Sequence, residues 1–124
     1  MLNKLSFILL LPLLLIGCSN HESHIQANAL RSLLNATPAP LIIDVRSQAE
    51  YQAGHVPTAI NIPFWQSFTT DILDNADKKT IILYCEHGPR AGVAKFAYYL
   101  AGFEKIVYLE GHMSAWRAAK HPME

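Results

Sequence analysis

The sequence predicts an α/β domain in three layers, α/β/α, whose central, mostly parallel sheet has four to five strands. Three observations predict it. Short apolar runs of buried-strand type recur at residues 41–44, 59–62, 80–84 and 106–109. Segments with helical spacing separate them, and strand–helix alternation gives parallel strands joined by right-handed crossovers. The chain has 124 residues, enough for one domain and too few for two.

The first segment reads as a targeting signal. Lys4 supplies a positive start, and residues 5–16 hold only Ser6 and Pro12 against ten large apolar side chains. That run is shorter than the roughly 20 residues a spanning helix needs. Leu15-Ile16-Gly17-Cys18 follows, and it resembles the bacterial lipobox, whose cysteine is lipidated and becomes the mature N-terminus. The resemblance implies a signal peptide over residues 1–17, a lipidated tether over 18–24 and a folded domain over 25–124. It also implies attachment to a membrane through lipid on Cys18. Ser19, rather than Asp, directs such a protein to the periplasmic face of an outer membrane.

Beyond the tether, His24 to Gln26 is read as a short edge strand, and Leu30, Leu33 and Leu34 mark a helix face across 27–35. The loop Thr37-Pro38-Ala39-Pro40 leads into Leu41–Asp44. Ser47 and Glu50 have the spacing of a capping box that starts a short helix, which Gly54 ends. Pro63 stops the strand Ala59–Ile62, after which Phe64, Phe68, Ile72 and Leu73 recur at helical spacing. Asp74 to Lys79 is a polar loop before Thr80–Tyr84. Residues 91–101 give the best helix, with Val93, Phe96, Ala97 and Leu100 as its apolar face. Gly102 is placed to end it and Phe103 to fold back on its last turn. A last short helix covers residues 114–120.

Charge excludes some partners. The chain carries ten Lys+Arg and ten Asp+Glu. Without residues 1–17, which hold Lys4 and no acid, the balance is nine to ten, or −1 with histidines neutral. Such a balance draws the protein toward neither nucleic acid nor an anionic surface, so anion binding must be local. The six histidines lack metal-ligand spacing, and neither metal nor organic cofactor is expected. A monomer is expected.

With Cys18 committed to lipid, Cys85 has no intramolecular partner. It follows the strongest strand directly, and the strongest helix opens at Ala91. Ligands of open parallel sheets bind beyond the carboxyl ends of the strands. Glu86, His87, Gly88, Pro89 and Arg90 form a loop whose inward N–H groups, with the helix dipole, cradle an anion. A thiol there has its thiolate stabilised and its pKa lowered. Arg90 adds a permanent positive charge. Cys85 is therefore read as a reactive nucleophile rather than a small core residue.

Cys85-Glu86-His87-Gly88-Pro89-Arg90-Ala91 resembles the active-site loop of the rhodanese family, Cys-x-x-Gly-x-Arg followed by a small residue. Ile43–Ser47 with Glu50-Tyr51, Gly54–Pro63, and Leu109-Glu110-Gly111 with Trp116 are similar to the family's other signatures. The resemblance implies the rhodanese fold and sulfur transfer without a cofactor. Cys85 would take sulfane sulfur from a donor such as thiosulfate, as a persulfide, and pass it to cyanide or a thiol, including a protein thiol. The loop from Glu86 to Ala91 would bind the substrate, its amides holding the persulfide and Arg90 the donor's oxyanion. Three residues depart from the pattern. Pro89 brings no N–H. Glu86 sets a negative charge against a dianionic donor. His112 stands where the closing signature often has a second glycine.

Two other functions fit the same fold. One is a non-enzymatic module that senses or carries persulfide; family members of that kind commonly lack the cysteine. The other is a phosphatase or arsenate reductase, whose Cys-to-Arg loop is one residue longer than the four residues found here. Asp44 and Arg46 follow a strand end and are read first as bonding neighbouring loops, second as a rim of the site. Trp65 is read first as core and second as rim. His55 is read as a hydrogen-bonded loop residue, and Trp116, Tyr98 and Tyr99 as packing.

Overall fold

A computed structural model describes residues 23–69 and 80–124. Cys18 and the tether up to residue 22 lie outside the described residues, as do Ile72, Leu73 and the polar loop Asp74–Lys79. The elements run β1 (His24–Ile25), α1 (Ala27–Leu33), β2 (Leu41–Asp44), α2 (Gln48–Gln52), β3 (Ile60–Asn61), a single 3₁₀ turn (Phe64–Gln66), β4 (Ile81–Tyr84), α3 (Pro89–Leu100), β5 (Ile106–Leu109) and α4 (His112–Ala118). The strands form one sheet in the order β1-β5-β4-β2-β3, each neighbouring pair parallel. This is the α/β fold with a parallel central sheet that the sequence predicts, with five strands.

Each strand is short and apolar because both sheet faces are covered, and alternate residues serve opposite faces. Ile43, Ile81, Leu83 and Tyr108 pack with Ala91, Ala94 and Tyr98 of α3. Ile42, Ile82, Tyr84 and Leu109 pack on the other side with Leu30 of α1 and Met113 and Trp116 of α4. Cys85 continues the alternation of β4 into the first of these layers. Cys85 is thus anchored by the same packing that defines the sheet.

The local signals at α2 and the end of α3 act as their chemistry dictates. Ser47 Oγ accepts from the Glu50 amide at 3.3 Å while Glu50 accepts from the Ser47 amide at 3.0 Å. At the end of α3, Phe103 N–H reaches Tyr98 O at 3.1 Å and Gly102 N–H reaches Tyr99 O at 3.0 Å. Gly102 has φ +93°, and the rings of Tyr98 and Phe103 meet edge to face.

Of the apolar face expected for α3, only Ala97 is buried. Val93, Phe96 and Leu100 are 44%, 58% and 63% exposed, whereas Ala91, Ala94, Ala97 and Tyr98 are buried. Alanines carry little hydropathy but let the helix backbone approach the sheet closely, so Val93, Phe96 and Leu100 are left outside while Tyr98 packs inward. Phe96 instead meets Phe68, centroid to centroid at 6.4 Å. Phe68 is itself exposed, and the described part of the expected 64–73 helix is only the 3₁₀ turn. Leu33 of α1 is also exposed, leaving Leu30 and Leu34 to face the core.

Candidate active site

The Cys85 loop is shorter than expected, because α3 begins at Pro89 rather than Ala91. Proline suits the first helical position, where its missing N–H would find no intrahelical acceptor. Gly88 is the N-cap with φ +131°, a conformation only glycine adopts without strain. That conformation turns the Gly88 N–H back onto Cys85 Sγ at 2.9 Å. The Ala91 N–H, at the dipole end of α3, also favours the anionic form of that sulfur.

Cys85 does not sit at an open edge; it is 1% exposed. Burial alone pushes its thiol pKa up. His112, the Ala91 amide and the Gly88 amide together outweigh it and bring the pKa from 9.0 to about 7. The site thus favours the thiolate more than free solution does.

Every arginine near the loop is matched by an acid. Arg90 binds Glu50 through two bonds, at 2.7 and 2.9 Å. Glu50 also holds the capping box, so the start of α2 and the closing residue of the loop form one unit. Glu86 accepts from Arg117 Nη1 at 2.6 Å and from Arg46 Nη1 at 3.3 Å. His87 and Pro89 are exposed.

Asp44 and Arg46 form no open rim: they are 0% and 1% exposed. Asp44 accepts from Arg46 Nη2 at 2.7 Å and from Nε at 3.0 Å. Arg46 Nη2 also donates to Gly54 O at 2.8 Å, and Asn61 donates to the carbonyls of both Asp44 and Arg46 at 3.0 Å. The pair ties the end of β2 to the segment entering β3 and, through Glu86, to the Cys85 loop. Trp65 is exposed and packs edge-on against Phe64, so it is not core. His55 stacks on Tyr51 and bonds its carbonyl through Nδ1 at 2.9 Å. Trp116 and Tyr98 are buried, and Tyr99 is on the surface.

The sequence pattern gives His112 no role beyond displacing a glycine. In the structure it is buried at the start of α4, with φ +55°, a region costly for a residue with a Cβ. Its Nδ1 accepts the Cys85 N–H at 3.2 Å and lies 4.0 Å from Sγ. The next two residues support the loop as well: Met113 N–H donates to Cys85 O at 3.0 Å and Ser114 N–H to Glu86 O at 3.2 Å. A histidine at a glycine position, directly after Gly111, was the available signal.

The Glu50–Arg90 pair predicts an acid-sensitive stability. Arg90 foremost, with Ser47, holds the Glu50 carboxyl at about 2, below its ordinary 4.5. Ionised Glu50 therefore stabilises the fold above about pH 4.5, and that contribution fades as pH falls toward 2. Glu50→Gln should lower Tm at neutral pH, with the gap to wild type closing across this window. A gap that stays constant through the acid range would contradict the coupling.

A family model described as a rhodanese-like domain matches residues 26–119. An uncharacterised protein of Synechocystis is 34% identical over 89 residues, covering 72% of this chain and 49% of that protein. The tRNA uridine(34) hydroxylase of Escherichia fergusonii is 32% identical over 98 residues, covering 75% of this chain and 28% of the hydroxylase. The chain thus spans half or less of the length of these curated relatives. Among solved structures, the rhodanese-like domain of an Anabaena protein superposes with TM-score 0.71 at 30% identity, covering 83% of this chain and 79% of the other. A thiosulfate sulfurtransferase from Pseudomonas aeruginosa superposes with TM-score 0.70 at 23% identity, covering 84% of this chain and 20% of that one, a likeness of fold.

Proposed function

The chain belongs to the rhodanese-like family, and from that premise we propose that it is a sulfurtransferase with Cys85 as its sulfur carrier. The observation that supports this best is the sulfur of Cys85 bonded by the Gly88 amide and facing the N–H groups at the N-terminus of α3. Those donors favour an anionic sulfur, first the thiolate and then the persulfide. Cys85 thiolate attacks the outer sulfur of the donor; the donor's S–S bond breaks, and its electron pair leaves with sulfite or a thiolate. The acceptor, cyanide or a thiolate, then attacks the outer sulfur of the persulfide. The Sγ–S bond breaks and its pair returns to Cys85. The four-residue spacing between Cys85 and Arg90 favours a sulfur atom over a tetrahedral phosphate or arsenate.

Donor choice follows from the charges. Arg46, Arg90 and Arg117 face Asp44, Glu50 and Glu86, leaving no unmatched guanidinium in that set for a dianion. A singly charged organic persulfide therefore suits the site better than thiosulfate. Purified protein should transfer sulfur from either donor to cyanide, faster from the organic persulfide; no product from any donor would overturn the proposal. Glu86→Gln frees positive charge on Arg117, whereas Arg46 stays paired with Asp44. The substitution should raise kcat/KM for thiosulfate several-fold at low ionic strength, with the gain shrinking above about 0.1 M salt, where the Debye length is ~10 Å. An unchanged or lower thiosulfate rate would remove this account of donor preference.

A further inference from the structure

We propose that His112 is the positioning residue of the Cys85 nucleophile: its ring fixes the Cys85 backbone, seats Gly88, and so aims Sγ at the Gly88 amide. This rests on the sulfur chemistry proposed above. Nδ1 of His112 accepts the buried Cys85 N–H at 3.2 Å. That bond uses the one lone pair of Nδ1 and selects the tautomer with its proton on Nε2. Sγ stands 4.0 Å from Nδ1, outside this bond, so His112 acts on the sulfur through the backbone.

Consecutive residues pin Cys85 on both sides. The His112 ring takes its N–H, and the Met113 N–H donates to its C=O at 3.0 Å. The Ser114 N–H donates to Glu86 O at 3.2 Å, which extends the grip one residue into the loop. With N–H and C=O both held, the direction of the Cys85 Cα–Cβ bond is set, and Sγ meets the Gly88 N–H at 2.9 Å. The far end of the ring supports that donor. Nε2 and Cδ2 lie 3.3 and 3.7 Å from where a β-carbon on Gly88 would stand. Gly88 thus rests on the ring, and Tyr108 of β5 packs against it with centroids 5.9 Å apart.

The backbone is strained to allow this. His112 has φ +55°, a region costly for a residue with a Cβ, directly after Gly111 at φ +70°. Two left-handed residues in succession let position 112 send its side chain, and position 113 its N–H, to the same residue of β4's exit. A glycine at 112 would relieve the strain but would leave the buried Cys85 N–H without its acceptor. Strain kept at a residue that touches the nucleophile's backbone points to function rather than to packing.

The test uses the full chain and separates the acceptor from the rest of the ring. His112→Asn tolerates the left-handed backbone and offers a side-chain oxygen to the Cys85 N–H. His112→Gly removes the acceptor together with the strain. Iodoacetamide alkylation of the Cys85 peptide is followed against pH, with hydrogen exchange at the Cys85 amide and circular dichroism on the same preparations. In His112→Gly the Cys85 amide should exchange faster. Its alkylation curve should move up by about one pH unit, which makes alkylation roughly tenfold slower at pH about 6 and equal at high pH. His112→Asn should keep the wild-type curve. In sulfur transfer, His112→Gly should lower kcat several-fold and leave KM for the donor within about twofold, since the ring acts on the nucleophile and not on the donor. A wild-type curve in His112→Gly would overturn the proposal, because the loop would then need no such acceptor. A shifted curve in folded His112→Asn would overturn it too, and this variant decides the matter if His112→Gly does not fold. Alkylation needs no sulfur donor. Rescue by asparagine in a protein that transfers no sulfur would therefore leave the positioning role standing and remove the sulfurtransferase.

Discussion

Cys85→Ser is expected to lower sulfur transfer by roughly a thousandfold or more while leaving the domain folded. A serine hydroxyl is not ionised near neutrality and is a poor nucleophile toward sulfane sulfur. The groups that lower the Cys85 pKa, His112, Ala91 and Gly88, cannot bring an alcohol into that range. Serine is close in size to cysteine and can accept the Gly88 amide in place of sulfur. The residue is fully buried, so the exchange of sulfur for a hydroxyl should cost some stability without unfolding the sheet. Thiocyanate production and thermal melting, measured on the same preparation, check both halves. Retained transfer would assign the chemistry to another residue.

Arg46→Met is expected to destabilise the domain by about 3–5 kcal/mol, because it leaves the Asp44 carboxylate buried without its counter-charge. Asp44 accepts three bonds from the Arg46 side chain, at 2.7, 3.0 and 3.1 Å, and is wholly removed from solvent. For a domain near this size the loss corresponds to a fall in Tm of roughly 15–30 °C. Tyr84 lies against the same pair, its hydroxyl accepting the Val56 amide at 3.1 Å, so the damage should spread to the segment before β3. Removing both charges with Asp44→Asn and Arg46→Met together should recover part of the loss, since the uncompensated charge is then gone. A single-variant loss below about 1 kcal/mol would mean that the pair is solvated, as surface pairs are.

The sheet was legible because its signals are strong and local. Each of the four short apolar runs contains a parallel strand, and the Ser47–Glu50 capping box and Gly102 stop act within a few residues of themselves. Cys85 was legible for a similar reason, since its strand, loop and helix are consecutive in sequence. What depended on distance was not legible. The helical pattern at Val93, Phe96 and Leu100 overlooked that α3 meets the sheet through alanines, because hydropathy weighs side-chain bulk and not closeness of approach. The pairing of Arg90 with Glu50, forty residues away, decides whether its charge is free, and nothing local reports it. His112 comes under the loop only when β4 and β5 lie side by side, which places the start of α4 beneath Cys85.

Mass spectrometry of the protein after exposure to a sulfur donor tests the central claim most directly. One sulfur atom should be added to the Cys85 peptide, none to any other, and an acceptor thiol should remove it while gaining a persulfide itself. Product formed while Cys85 remains unmodified, or a Cys85 that stays unmodified with every donor tried, would contradict it.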